Sequence, residues 1–294
     1  MIKQIEISNP KTRAILELLL AGAIWGLGFV ATVWALQDFS PVGFLILRFF
    51  IAWIVGEFFR VVVLGYPFWS PRDFRLSFFA GLLMASFLLP QTIGLLFTTA
   101  TNSGFLTILY VVIVPILSFI AFRKKYRPQV YAFAGLAFFG AWLLMKAEIT
   151  DFNSGDLWTL LCAFTASLHI LYLGRYAPYI EDAFRFNNFQ SFWCLIVVLP
   201  FAPFDPQFSL QSSAWLPWIG LLSTAIGSSL IGFLIQVRAQ RVLPETTAAQ
   251  LFLLESPFAL LFGFLLLGET ISALQAVGAA IILLSSYLTL KFEK

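Results

Sequence analysis

Ten runs of about 20 apolar residues occupy most of this chain, the length a helix needs to cross a hydrocarbon core of about 30 Å. They cover 14–36, 41–62, 74–96, 101–122, 129–147, 156–177, 186–202, 215–237, 246–267 and 271–291. Helix-start and turn signals separate them: Asn9-Pro10, Ser40-Pro41, Ser70-Pro71, Asn153-Ser154-Gly155-Asp156 and Gly268-Glu269-Thr270. The seventh run is the least regular, because it ends among Pro200, Pro203 and Pro206. With 60% hydrophobic and 11% charged residues, against roughly a quarter charged in soluble domains, the chain reads as an all-α integral membrane protein. The N-terminal run exceeds a signal-peptide core of about 7–15 residues and is expected to persist as the first helix.

The sequence also contains one unit twice. Leu109-Tyr110-Val111-Val112-Ile113-Val114-Pro115 returns as Leu251-Phe252-Leu253-Leu254-Glu255-Ser256-Pro257, an offset of 142 residues in a chain of 294. Each copy lies in an apolar run with a central proline, followed by a Gly-bearing run (Gly135 to Trp142; Gly278 to Leu284). The expected units are two five-helix repeats, residues 1–147 and 148–294. Five is odd, so the second repeat enters the membrane from the opposite side, and the repeats are inverted. Transporter scaffolds are built this way, with the substrate at the repeat interface.

Orientation follows from Lys and Arg. With the N-terminus inside, the cytoplasmic segments hold Lys3, Lys11, Arg13, Arg60, Arg72, Arg75, the cluster Arg123, Lys124, Lys125 and Arg127, then Arg175, Arg185, Arg238, Arg241, Lys291 and Lys294. Lys146 alone falls outside, with acidic Asp38, Glu148, Asp151, Asp205 and Glu269. This asymmetry places both termini in the cytoplasm. The net charge of +3 therefore reports topology, and no nucleic-acid partner is expected. Cys162 and Cys194 lie within apolar runs and read as small core residues without a disulfide.

Three further stretches carry a family resemblance: Leu20-Ala21-Gly22-Ala23-Ile24-Trp25-Gly26-Leu27-Gly28-Phe29, Ser40-Pro41 with Leu47-Arg48, and Leu265-Leu266-Leu267-Gly268-Glu269-Thr270. In their order and repetition the chain resembles, over essentially its whole length, the ten-helix EamA-type members of the drug/metabolite transporter superfamily. The resemblance implies a multi-pass cell-membrane carrier of small metabolites, with cytoplasmic termini and a central cavity framed by both repeats. The first repeat departs from the pattern at Phe122-Arg123-Lys124-Lys125-Tyr126-Arg127-Pro128, so the turn glutamate occurs only at Glu269, where it is expected to brace a turn.

An ionisable side chain inside the membrane is costly and defaults to a functional hypothesis. By helical rise, Glu255 and His169 lie about 13 and about 12 Å from the cytoplasmic side, and Trp25 and Tyr110 about 16 and about 18 Å. These four form the candidate substrate layer, with ring faces suited to an organic cation or the apolar part of an amino acid. A structural role is the alternative for each: Glu255 bonding the Leu253 carbonyl freed by Pro257, His169 bonding a neighbouring helix, and the aromatics packing. Arg48 can hold a carboxylate or serve the fold by bonding carbonyls or Asp38. Gln91, Gln250, Ser228 and Ser229 are candidate cavity polars, Pro115 and Pro257 candidate hinges, and the Gly22/Gly26 spacing suits close helix packing.

The expected function is secondary transport of a small polar or amphipathic metabolite by a monomer or homodimer in the bilayer, without metal, cofactor or catalytic residue. An intramembrane enzyme using His169 and Glu255 and a channel are the competing classes. A single His and two membrane Cys make no metal cluster, no nucleophile motif accompanies the His, and no charged ring suggests a pore.

Overall fold

The computed structural model describes residues 9–98, 100–144 and 153–292. Lys3, Lys146, Glu148, Asp151 and Lys294, used above for orientation, and the expected repeat boundary at 147/148 lie outside them. The described residues form ten helical units: α1 (Pro10–Ala35), α2 (Pro41–Glu57, continuing in wider turns over Phe58–Val63), α3 (Pro71–Gly94), α4 (Ala100–Ile108 and Tyr110–Phe122), α5 (Pro128–Leu144), α6 (Ser154–Tyr176), α7 (Ala183–Val198), α8 (Trp215–Leu222, Ser223–Gly232 and Phe233–Ala239), α9 (Glu245–Phe252 and Glu255–Leu267) and α10 (Ala273–Phe292).

The turn signals act as caps. Asn9, Ser40 and Ser70 each accept a backbone N–H of the first turn, with proline immediately after, where its missing N–H costs nothing. Asn153 and Asp156 form a reciprocal capping box at α6. Gly268 ends α9 at φ 69°, a left-handed position that glycine adopts without a Cβ penalty. The turn also brings the Glu269 carboxylate against Gly263.

Eight of the helices are long and apolar enough to cross a membrane, and α5, at 17 residues, is a shorter apolar one. The seventh differs from its expected range. Regular helix stops at Val198 and continues as a tight 3-10 segment, Leu199–Phe204. Pro200 and Pro203 cannot donate to the helical ladder, so the α-pattern cannot pass them. Outward-facing side chains such as Leu20, Val62 and Ile120 are exposed and apolar, the surface a bilayer covers.

The two repeats interleave in one bundle. α1 packs on α8 and α9, α2 on α7 and α8, α3 on α6 and α7, and α5 on α10. Small residues set the closest approaches. A Cβ at Gly26 would stand 2.6 Å from Phe258 Cβ and 2.8 Å from the Ala259 nitrogen, so α1 meets α9 backbone to backbone. Gly140 and Gly278 do the same for α5 and α10. Two large apolar cores flank the bundle centre, and Trp25 packs against both.

Candidate functional site

A central cavity of about 820 Å³, counting its open mouth, lies between the cores, lined from both repeats. Its geometry begins with the repeated prolines. Both α4 and α9 break on the N-terminal side of their proline: α9 at Leu253 and Leu254, where the missing Pro257 N–H leaves the Leu253 carbonyl without its regular donor, and α4 at Leu109, six residues before Pro115. In α9 the Leu253 carbonyl accepts the Ser256 N–H at 3.1 Å; in α4 the Leu109 carbonyl accepts Val112 and Ile113 at 3.0 Å each. Helix resumes at Tyr110 and Glu255 respectively. The Tyr110 hydroxyl donates to Glu255 Oε1 at 3.2 Å, so the two repeats' broken helices meet at the cavity wall.

That contact differs from the structural alternative given for Glu255. Leu253 already accepts Ser256, and the Glu255 carboxyl turns to Tyr110 instead.

Trp25 stands beside this pair. Its ring meets Phe252 edge-on at 5.3 Å and Phe233 at 5.6 Å, and its Nε1 donates to the Ser228 carbonyl at 3.4 Å. Gly232 lies under the indole, where a Cβ would fall 2.6 Å from Nε1. His169 lines the cavity too, with Nε2 bonded to Gln190 Oε1 at 3.1 Å. Gln190 donates to Asn187, which donates to the Ser229 and Leu230 carbonyls in the wide turns of α8. The helix-to-helix bond anticipated as the alternative for His169 is thus present, and the ring still borders the cavity.

Arg48 and Gln91 also line it. Arg48 donates from Nε to Ser229 Oγ at 2.7 Å, and Gln91 to Thr107 Oγ1 at 3.3 Å. Asp38 is not the partner of Arg48; it accepts from Ser212. Two candidate cavity polars fall elsewhere. Gln250 points away from Glu255 around α9 and donates to Ser285 Oγ at 2.7 Å, stitching α9 to α10. Ser229 supports Arg48, and the adjacent Ser228 takes the lining position. Among the described residues, the Ser228 hydroxyl has no hydrogen-bond partner. Pro115 and Pro257 lie in the helical segments that follow the two breaks.

The sequence reading missed Phe252 and Phe233. Phe252 was findable, because it is the counterpart of Tyr110 at the 142-residue offset.

The cavity runs toward Thr32 and Leu95, the bundle end opposite Pro10 and Phe292. At the other end of the bundle lies Glu245, the first residue of α9. Its carboxylate accepts from Lys124 Nζ at 2.9 and 3.0 Å, from Ser118 Oγ at 3.1 Å and from the Tyr126 hydroxyl. Burial, then the bond to Glu245, holds the Tyr126 phenol above its usual range, so it remains a donor. Gly174 of α6 abuts the Glu245 Cβ. Arg238 pairs with Glu17 at 3.0 Å, joining α8 to α1 at the same end. Among the described residues no His, Cys, Asp or Glu cluster could hold a metal ion.

A helical two-repeat membrane bundle around a central cavity is the architecture of a multi-pass transporter. The chain belongs to the EamA-like transporter family, whose pattern matches it twice, over residues 12–146 and 153–291. It is 34% identical to an uncharacterized transporter of Archaeoglobus fulgidus over 275 residues, 92% of this chain and 84% of that one. A chloroplastic WAT1-related protein of Arabidopsis thaliana is 30% identical over 139 residues, 46% of this chain and 33% of its own. A protein of known crystal structure shares the fold with a TM-score of 0.76 at 18% identity, over 96% of this chain and 99% of the other.

Proposed function

We propose that this transporter moves a small polar or amphipathic metabolite, in the range of amino acids and organic cations, across the cell membrane by alternating access. The carrying observation is the Tyr110–Glu255 contact, which puts a carboxyl group and the two repeats' broken helices on one cavity wall. Glu255, Tyr110, Trp25 and His169 are the substrate-contacting groups in this reading, and Pro115 and Pro257 are hinges. With cytoplasmic termini, the open mouth faces outward and the Glu245 cluster seals the inside. Exchanging the conformations of the two repeats would then open the inner end and close the outer one.

Counterflow in proteoliposomes tests this. Leucine, phenylalanine, putrescine, choline and uridine are first screened for thermal stabilisation of the purified protein, since a ligand of the folded state raises its stability. A stabilising compound loaded inside should accelerate saturable entry of its labelled form. A channel gives no saturation or trans-acceleration, and an enzyme returns a chemically altered compound; either outcome removes the carrier reading.

Orientation has its own test. In a background lacking Cys162 and Cys194, both buried, single cysteines at exposed Arg127 and Gln207 should label from the cytoplasmic and outer sides respectively. Reversed labelling would invert the assignment of the open mouth.

A further inference from the structure

The Arg48 side chain is 6% exposed and lines the central cavity, yet it has no counter-charge. The ion pairs among the described residues join Arg13 and Arg238 to Glu17, Arg60 to Glu57, Lys124 to Glu245, and Arg185 to Asp73 and Glu181. None includes Arg48. Its Nε is held by Ser229 Oγ at 2.7 Å, and neither Nη has a hydrogen-bond partner among the described residues. The rings of Phe44 and Phe49, with centroids 5.9 and 5.5 Å from the guanidinium carbon, attract the cation without neutralising it. A buried charge is expensive unless paired and hydrogen-bonded. Ser229 fixes one edge of the guanidinium and leaves the Nη edge, a two-pronged donor matched to a carboxylate, for something outside the protein.

Glu255, on the same cavity, also lacks a cationic partner among the described residues; its contact is the Tyr110 hydroxyl. We propose that Arg48 is the anion-binding end of the cavity and that the transported compound is a zwitterion, its carboxylate on the Arg48 Nη edge and its ammonium toward Glu255. The ammonium half of this assignment rests on the reading of Glu255 as a substrate ligand given above; the carboxylate half does not. A simple organic cation would leave Arg48 unpaired. A phosphate monoester would bring two negative charges to a cavity lined by one guanidinium and one carboxyl group, with His169 already engaged by Gln190. A zwitterion pairs both groups, and its apolar part meets the Trp25, Phe233 and Phe252 rings.

The test measures binding to detergent-purified protein, by thermal stabilisation over a concentration series, for phenylalanine, phenethylamine and 3-phenylpropionate and for leucine, isopentylamine and 4-methylpentanoate. Phosphoethanolamine is added as the phosphate probe. At least one amino acid should bind more than tenfold tighter than its own amine. Arg48→Gln should erase that ratio by weakening the amino acid alone. Arg48→Lys, which keeps the charge but loses the fork, should weaken it by about tenfold. If the Arg48 variants do not fold, the wild-type comparison still decides. Equal binding of amine and amino acid, binding of neither amino acid, an unchanged ratio in Arg48→Gln, or phosphoethanolamine outcompeting both amino acids would each overturn the proposal. Glu255→Gln separates the two halves: it should weaken amine and amino acid and spare the free acids, whereas no effect there with an intact Arg48 result removes only the Glu255 reading.

Discussion

Glu255→Gln should fold, reach the membrane and lose at least about nine-tenths of its transport, together with the pH dependence of what remains. A tenfold loss corresponds to about 1.4 kcal/mol, modest for a charged contact inside a membrane cavity. The substitution preserves shape, and the Tyr110 hydroxyl can donate to the amide oxygen as it does to Glu255 Oε1. The contact between α4 and α9 therefore survives while the titratable charge goes. If Glu255 served only as a protonated structural acid, glutamine would be a near-perfect replacement. Uptake into proteoliposomes across pH distinguishes the two, and wild-type rates with an unchanged pH profile would take Glu255 out of the substrate site.

Glu245→Ala should release the inner end of the bundle. A cysteine at Val114, buried one turn deeper than Ser118, should then react with a cytoplasmic thiol reagent more than about tenfold faster than in the protein with Glu245 intact. The size follows from what each donor contributes. Lys124 is 47% exposed, and pairs of that kind are worth about 0–1 kcal/mol after solvent screening. Hydrogen bonds to a charged group, such as those from Ser118 and Tyr126, are worth about 1.5–3 kcal/mol each. Lys124→Ala should accordingly change the labelling rate less than about fivefold, and Tyr126→Phe should fall between the two. Alanine keeps the Cβ that rests against Gly174, so the tightest contact there survives the substitution. Unchanged labelling in Glu245→Ala would mean that this cluster does not hold the end closed.

Much of the scaffold was legible from spacing alone. The length of an apolar run sets whether a helix can span, a Ser-Pro or Asn-Pro step supplies both cap and first-turn geometry, and an odd number of spans per repeat forces inversion. These are local or counting properties, which need no knowledge of neighbours. The proline pair read as candidate hinges in α4 and α9, and the same offset could have led from Tyr110 to Phe252.

Side-chain partners were another matter. Gln250 and Glu255 belong to one short stretch of α9, yet one faces α10 and the other the cavity, because the helix turns between them and only packing decides which neighbour each side meets. The basic cluster at residues 123–127 read as a topology signal, and nothing in its spacing pointed to Glu245, which lies 121 residues beyond Lys124. Arg48 read as a partner for nearby Asp38, whereas its bond runs to Ser229, 181 residues away. Helix length, ends and inversion follow from forces within about one turn of chain and from the bilayer, so the amino-acid order alone determined them. Which charges are paired and which are left facing the cavity depend on contacts between distant helices, and only their packing decided these.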